Sequence, residues 1–266
     1  MRSAQVTRYV TPLKEGGSLP GLIEADDDGL YVMKCRGAGQ GSAALVAEQI
    51  TGELARGLGI RVPELVFLDL DEQIGRREPD PEVQDLLVAS TGLNLGLDFL
   101  PGSIGYEPAL DLAELSTPDG EHLAALITWL DAFTANVDRS WRNPNLLVWH
   151  RQMWAIDHGA ALVFHHAWPP VERWAGRIYD LSDHVLAPAT RALGRQEWAA
   201  IDAEAVEAIT PERLNAVLEL VPDSWLVTMN AAIGDDRPAA AWRERYRQYL
   251  GARLAAERPW QPVAGG

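Results

Sequence analysis

The sequence predicts an α+β protein with two lobes: a small N-terminal lobe of antiparallel strands and a helix, and a larger C-terminal lobe that is mainly helical. Two observations lead to this prediction. The first hundred residues contain short alternating runs separated by Gly, Pro and Asp, whereas helical periodicity dominates from about residue 107. Runs of strands followed by runs of helices are typical of α+β folds. We therefore expect the lobes at 1–102 and 103–266.

The first 35 residues predict three antiparallel strands. The strand-like runs are QVTRYV, LIEA and LYVMKC, and they are separated by KEGGSLPG and DDDG, which are rich in turn residues. Because short turns join neighbouring strands in opposite directions, we expect one small antiparallel sheet.

A helix follows the third strand. In AALVAEQITGELARGLG (43–59) apolar residues recur every four positions, which is the spacing of one helix face. We expect Ser42 to cap the N-terminus of this helix, and Gly57 and Gly59 to end it.

The remaining chain predicts a strand, a short helix and a strand up to residue 102, then a helix of four turns, a β-like pair and more helices to about residue 257. No internal repeat is visible. The segments named here are VPELVFLDL (62–70), DPEVQDLLVAS (80–90), LNLGLDFLPG (93–102), GEHLAALITWLDAFTAN (120–136), LLVWH (146–150) and MWAID (153–157).

The composition limits the location and the partners. A net charge of −15 argues against nucleic acid or an anionic membrane as the main partner, because both favour Lys/Arg surfaces. The single cysteine, Cys35, excludes an internal disulfide and a Cys-based zinc site. The N-terminus lacks an apolar core of signal-peptide length, and no run has the roughly 18 apolar residues of a membrane helix. We expect a folded cytoplasmic protein.

Five polar residues occur in an order that suits phosphoryl transfer from ATP. This reaction needs a lysine on the phosphates, oxygen ligands on magnesium and an aspartate facing the acceptor hydroxyl. Lys34 ends the third predicted strand, and Glu48, on the following helix, could pair with it. Lys34 could instead be a strand lysine with its charged end in solvent. Glu48 could instead be a solvated surface charge.

The other candidates lie in FTANVDRSWRNPNLL (133–147) and just after it. Asp138 and Asn143 are five positions apart, and Asp157 precedes a glycine in AIDHG. Asn143 and Asp157 offer the hard oxygen ligands that Mg²⁺ prefers. A capped turn is the alternative for Asp138 and Asn143, because turns favour Asn, Asp and Pro. The polar residues that interrupt the apolar run here are Asn136, Asp138, Arg139, Arg142, Asn143 and Asn145.

The order of YVMK, GAGQGS, NVDRSWRN and AIDHG resembles the HipA-like serine/threonine kinases, over roughly residues 20–160. The resemblance implies a protein-kinase-like fold, related to that of lipid kinases, in a stand-alone kinase domain. It implies ATP and Mg²⁺ as the cofactors. In this chain Asp138 would then be the catalytic aspartate, Asn143 and Asp157 the metal ligands, and Lys34 the phosphate-binding lysine.

The sequence departs from the family pattern at two positions. Ser140 stands where the family usually has His, two positions after the catalytic Asp. His158 makes DHG where protein kinases have Asp-Phe-Gly, so a switch based on that Phe is not expected. His158, His165, His166 and His184 have no zinc-ligand spacing, and we expect them to be ordinary surface or core residues.

Two glycine-rich segments could cover the nucleotide phosphates. GAGQG, with Gly37, Gly39 and Gly41, could form a backbone nest at a helix N-terminus or a plain connector. GGSLPG, with Gly16 and Gly17, is the alternative lid between the first two strands. Both remain open. Leu95, Phe99 and Leu100 fall where a hinge strand would line the adenine pocket, although apolar strand residues usually belong to the core.

The acceptor also has alternatives. The expected activity is transfer of the γ-phosphoryl group to a hydroxyl of a protein Ser or Thr. A small-molecule kinase acting on an antibiotic or on a lipid or inositol headgroup would share the ATP site. A pseudokinase that binds a protein partner is the alternative outside enzymes. Ser18 and Ser42 are candidates for autophosphorylation or simple turn and cap residues.

Overall fold

The computed structural model describes residues 1–13, 19–107, 120–231, 235–255, 257–258 and 260–262. Strands dominate the first part and helices the second, so the predicted mixture of the two is confirmed. The strands are β1 (Ser3–Pro12), β2 (Gly21–Ala25), β3 (Leu30–Lys34), β4 (Leu65–Leu70), β5 (Gly92–Asp98), β6 (Ile104–Gly105), β7 (Leu146–Trp149) and β8 (Gln152–Ala155). The helices are α1 (Ser42–Gly57), α2 (Glu72–Arg76), α3 (Pro81–Ala89), α4 (Gly120–Thr134), α5 (Val171–Ala175), α6 (Ala187–Thr190), α7 (Arg195–Ala208), α8 (Pro211–Glu219), α9 (Asp223–Ala231) and α10 (Ala239–Leu254), with a 3-10 helix at Val163–His166.

The first five strands form a closed barrel in the order β1-β2-β3-β5-β4. The strands β1, β2 and β3 pair antiparallel, as expected from the sequence. The barrel closes because β1 also pairs with β4 in parallel, from Ser3 opposite Phe67 to Gln5 opposite Asp69. Gly96 of β5 permits the close packing inside, since a Cβ there would lie 2.5 Å from Leu68 Cδ1. The sequence did not predict this closure.

Helix α1 joins the barrel to the helical part of the chain. Its apolar face, with Val46, Ile50 and Leu54 fully buried, belongs to the same hydrophobic core as Trp129 of α4 and Trp225 of α9. One continuous core therefore spans both predicted lobes, and their boundary stays a prediction. The strands β6, β7 and β8 form a separate three-stranded sheet.

The start of α1 differs from the prediction. Gly41, and not Ser42, is the N-cap residue, and no side chain caps this helix. Gly41 has φ +61°, a left-handed conformation that glycine adopts without strain, and its N–H donates to the Ala38 carbonyl at 2.6 Å. A tight backbone turn therefore starts the helix, so the Ser42 hydroxyl is not needed as a cap.

Arg253 of α10 caps the C-terminus of α4 and thereby fixes the loop that follows. Its guanidinium donates to the carbonyls of Ala132 and Phe133 at 2.7 Å each, and it stacks between Trp174 and Trp260. Burial lowers the pKa of Arg253 to about 9.

None of the described helices combines the length and the apolar composition that a membrane span requires.

Candidate active site

Lys34 is the centre of a three-residue ionic cluster. Its Nζ lies 2.6 Å from Glu48 Oε2 and 2.6 Å from Asp157 Oδ1. Lys34 ends β3, Glu48 is on α1 and Asp157 follows β8, so three separate parts of the chain meet here. Lys34 and Glu48 are buried, whereas the Asp157 side chain is 35% exposed. Only the carboxylate of Asp157 is therefore accessible to a metal.

The cluster keeps Lys34 and Asp157 charged. Burial opposes the charge on Lys34, but the carboxylates of Glu48 and Asp157 outweigh it and raise the pKa of Lys34 to about 12. The Lys34 ammonium in turn lowers the pKa of Asp157 below its ordinary value. A protonated lysine and an ionised aspartate are the forms that bind phosphate oxygens and metal ions.

Asp138 is held by two asparagine side chains. Its Oδ2 accepts hydrogen bonds from Asn143 Nδ2 at 2.9 Å and from Asn145 Nδ2 at 3.3 Å. The Asp138 N–H donates to Asn136 Oδ1 at 3.1 Å, which fixes the backbone. Because Asn143 uses its amide nitrogen on Asp138, its Oδ1 is left for another partner, such as a metal.

A buried ion pair holds the backbone of this loop in place. Arg139 Nε donates to Asp131 Oδ2 at 2.5 Å, and His184 Nε2 lies 3.0 Å from the same oxygen. Arg139 Nη1 also bonds the carbonyls of Asn145 and Ile156, so it ties the Asp138 loop to the residue before Asp157. Burial opposes the charge on Asp131, but Arg139 and His184 outweigh it and hold the pKa of Asp131 well below its ordinary value.

Sequence patterns did not reveal the interaction of Asp131 with Arg139 and His184, although His184 was expected to be a surface or core residue. The available signal was Asp131 itself, a carboxylate in an apolar helical pattern, because buried charges need partners. Its partners lie 8 and 53 positions further along the chain, which spacing alone does not reveal.

One cavity of about 490 Å³ is lined by six of the predicted site residues, four of which are polar. Lys34, Asp138, Asn143 and Asp157 all line it, although they come from three different stretches of sequence. The described residues that line this cavity are Lys34, Cys35, Ala38, Gly39, Gln40, Gly41, Ala44, Leu45, Val137, Asp138, Asn143, Asp157, Gly159 and Ala160.

The glycines of GAGQG divide into two groups. Gly39 and Gly41 line the cavity. Gly37 instead packs against α3, where its N–H donates to Ser90 Oγ at 3.1 Å and an added Cβ would lie 2.9 Å from Ala89 Cβ. A role for Gly37 toward the nucleotide therefore stays a prediction.

The other predicted positions are not among the described residues that line the cavity. Phe99 and Leu100 follow β5 and are not among the described residues that line it, so their assignment to the adenine stays a prediction. Gly16 and Gly17, like Ser18, lie outside the described residues. The second glycine-rich lid therefore also stays a prediction.

His158 is fully buried behind Asp157. Burial lowers the pKa of His158 to about 4, although Glu48 acts in the opposite direction. Neither ring nitrogen has a hydrogen-bond partner among the residues that the structure describes. Within that same part of the chain, no group of three or more His, Cys, Asp or Glu side chains could hold a metal ion.

Among solved structures, the chain is similar to the proinflammatory kinase CtkA of Helicobacter pylori. The TM-score is 0.51 at 11% identity, and the match covers 91% of this chain and 98% of that one. At this identity the similarity shows a kinase-like fold and nothing finer. The Golgi casein kinase with Mn/ADP bound matches with a TM-score of 0.44 and 14% identity, over 95% of this chain and 73% of that one.

No curated protein matches the chain in sequence. The model of the HipA-like kinase family matches it over residues 6–254, which is nearly its whole length. This range contains nearly all of the barrel, the ionic cluster around Lys34, and the loop from Asp138 to Asn143. The chain therefore belongs to the HipA-like kinase family.

Proposed function

We propose that this kinase transfers the γ-phosphoryl group of ATP, in the presence of Mg²⁺, to the hydroxyl of a Ser or Thr in a protein. The observation that carries the proposal is the shared cavity, where Lys34, Asp138, Asn143 and Asp157 face one another. The catalysis of phosphoryl transfer rests mainly on positioning and charge, and these four side chains supply both.

The nucleotide side of the cavity has donors for phosphate oxygens. The Lys34 ammonium has three N–H groups, of which two point to Glu48 and Asp157, so one is left for a phosphate oxygen. Within the described part of the chain, four backbone N–H groups at the start of α1 form no hydrogen bond. Those of Gly39 and Gln40 lie in the loop before the helix, and those of Ser42 and Ala43 lie in its first turn.

These donors support GAGQG as a phosphate-binding segment. They lie at the N-terminus of α1, a 16-residue helix whose dipole adds positive potential there. The space beside Gly39 is open, because an added Cβ there would meet no atom within 4 Å. We assign the phosphate contacts to this loop and to Lys34.

The donor set fits a magnesium ion that is bound together with the nucleotide. Asn143 Oδ1 and the Asp157 carboxylate would hold it, and both residues line the cavity. Two protein ligands are typical of Mg²⁺, which keeps waters and phosphate oxygens in its other positions. When bound, the ion would neutralise charge on the phosphate oxygens.

Asp138 faces the acceptor in this proposal. Its Oδ2 is occupied by Asn143 and Asn145, while no partner is recorded for Oδ1 among the described residues. Oδ1 would take the proton of the acceptor hydroxyl as the hydroxyl oxygen bonds to the γ-phosphorus. The bond to the β–γ bridging oxygen breaks in the same displacement, and ADP leaves.

The test is thermal unfolding with ATP and Mg²⁺, with ATP and EDTA, and in Asp157→Asn. Ligand at about 100 times its Kd should stabilise the protein by roughly 2.7 kcal/mol. We expect this stabilisation only when both Mg²⁺ and Asp157 are present. Transfer of label from γ-labelled ATP to Ser/Thr peptides completes the test. Absence of any stabilisation by ATP would contradict the proposed ATP site. Label found only on small molecules would exclude the protein acceptor.

A further inference from the structure

The loop between Asp138 and Asn143 is a tight turn with two exposed residues at its tip. The Ser140 N–H donates to the Asn143 carbonyl at 3.0 Å, and the Asn143 N–H donates back to the Ser140 carbonyl at 3.2 Å. Trp141 and Arg142 are the two residues between these reciprocal bonds. Their backbone is therefore fixed, whatever their side chains contact.

A second segment holds the same turn from outside. The Trp141 N–H donates to the Asp183 carbonyl at 3.1 Å, and Ser140 forms a β-bridge with His184. The tip is therefore rigid on both sides, which is the preorganisation that binding residues need.

Among the described residues, the two side chains at the tip have no structural partner other than each other. Trp141 is 55% exposed, and the Arg142 guanidinium lies 4.3 Å from the centre of its ring. Arg142 forms no ion pair with Asp183 or with any other carboxylate in the described part of the chain. A large aromatic ring and an unpaired arginine on a rigid turn are typical of binding residues.

Two exposed apolar side chains belong to the segments that meet at the loop carrying this tip. Val137 and Ile178 are 62% and 75% exposed. Val137 precedes Asp138, and Ile178 precedes Tyr179, whose hydroxyl donates to the Asn136 carbonyl at 2.6 Å. The positive charge at the tip itself is that of Arg142, whose side chain is exposed.

We infer that Trp141 and Arg142 form a binding subsite for an acidic segment of the protein acceptor. Trp141 is three residues from Asp138, so their Cα atoms are at most about 11 Å apart. An extended peptide advances about 3.3–3.6 Å per residue. A Glu or Asp about two or three residues from the acceptor hydroxyl would therefore reach Arg142, while neighbouring apolar atoms cover Trp141.

This inference rests on the proposed transfer to a protein hydroxyl, so its test separates the two. Three peptide sets with one Ser or Thr would carry Glu, Gln or Lys two or three positions away. We expect the wild-type protein to prefer the Glu peptides to the Gln peptides by about tenfold in kcat/KM. Arg142→Glu should reverse the preference toward Lys peptides. The matched control is Arg77→Glu, the same charge change at an exposed site after α2, which should leave the preference unchanged.

Trp141 gives an independent measurement. Trp141→Ala should raise the KM for the Glu peptides by about tenfold and leave kcat unchanged, because the ring binds the substrate and the transition state equally. Trp141→Phe should restore most of the loss. A change in kcat alone would contradict the assignment of Trp141 to acceptor binding.

The remaining outcomes are distinguishable. Peptide phosphorylation with the same charge preference in the wild type and in Arg142→Glu would overturn the subsite and leave the proposed function standing. Stabilisation by ATP and Mg²⁺ without labelling of any peptide would overturn the subsite together with the protein acceptor. Absence of both stabilisation and transfer would overturn the phosphotransferase proposal, and the subsite with it.

Discussion

Two aspartates seven residues apart, Asp131 and Asp138, differ in almost everything except their chemical group. Asp131 is fully buried on α4 and pairs with two cationic or potentially cationic side chains, Arg139 and His184. Asp138 lines the cavity, and its side chain is bonded only to the neutral amides of Asn143 and Asn145 among the described residues. Both are placed by hydrogen bonds, but only Asp138 has a carboxylate oxygen available for a substrate.

This contrast separates the interactions that hold the fold from those that serve the chemistry. A charge without water needs a countercharge, so the Asp131 group is locked and unavailable for reaction. A carboxylate that is held by amides at the wall of a cavity keeps its position and its capacity to accept a proton. Asp131 therefore holds the loop in place, and this keeps Asp138 at the wall of the cavity.

The largest expected effect is on turnover. Asp138→Asn should lower kcat by about 10²–10⁴-fold, because an amide cannot take the proton of the acceptor hydroxyl. The free energy of unfolding should change by no more than about 0.5 kcal/mol, since the amide oxygen can still accept from Asn143. Steady-state kinetics and urea unfolding measure the two effects. Asp180→Asn, an exposed carboxylate replacement in the neighbouring segment, is the matched control and should leave kcat unchanged.

An equal loss of ATP affinity, with unchanged turnover per bound ATP, would contradict this assignment. Asp138 would then belong to the nucleotide side of the cavity, and the comparison with Asp131 would concern two binding residues.

The next effect is on stability. Asp131→Asn should lower the free energy of unfolding by about 3–5 kcal/mol, because it leaves the buried Arg139 without its countercharge. The double variant Asp131→Asn/Arg139→Met should lose less than the sum of the two single variants, since it also removes the unpaired cation. Urea unfolding of all four proteins measures the cycle. Additive losses would show that the ion pair does not hold the loop.

The same comparison shows what can be predicted from sequence. Asp138, Asn143 and Asp157 could be proposed because the spacing and order of residues in a catalytic loop are local properties of the chain. The interaction of Asp131 with His184 could not, because it joins positions 53 residues apart. The parallel pairing of β1 with β4 was missed for the same reason, since it joins Ser3 to Phe67.

Local patterns can also be misleading. Ser42 is a good capping residue by type, yet Gly41 starts α1 because a left-handed backbone turn comes first. Similarly, GAGQG has three glycines of similar appearance, but only tertiary packing distinguishes Gly37, which contacts α3, from Gly39 and Gly41 at the cavity. The sequence therefore indicated the segment but not the role of each residue in it.

The smallest effect is the dependence of stability on pH. Because the pKa of Asp131 is lower in the folded protein than in the unfolded chain, its contribution is present above about pH 4, the ordinary pKa of Asp. The contribution is lost as the pH falls further, toward the folded-state pKa. The difference in unfolding free energy between the wild type and Asp131→Asn should therefore be constant from about pH 7 to 5 and decrease below about pH 4.

Urea unfolding at each pH measures this difference, with the exposed Asp85→Asn as the matched control. Asp85→Asn should stay within about 0.5 kcal/mol of the wild type throughout. A difference for Asp131→Asn that does not change between pH 5 and 3 would mean that Asp131 stabilises the loop by its shape and hydrogen bonds, and not by its charge. The distinction between a structural carboxylate and a chemical one would then rest on burial alone.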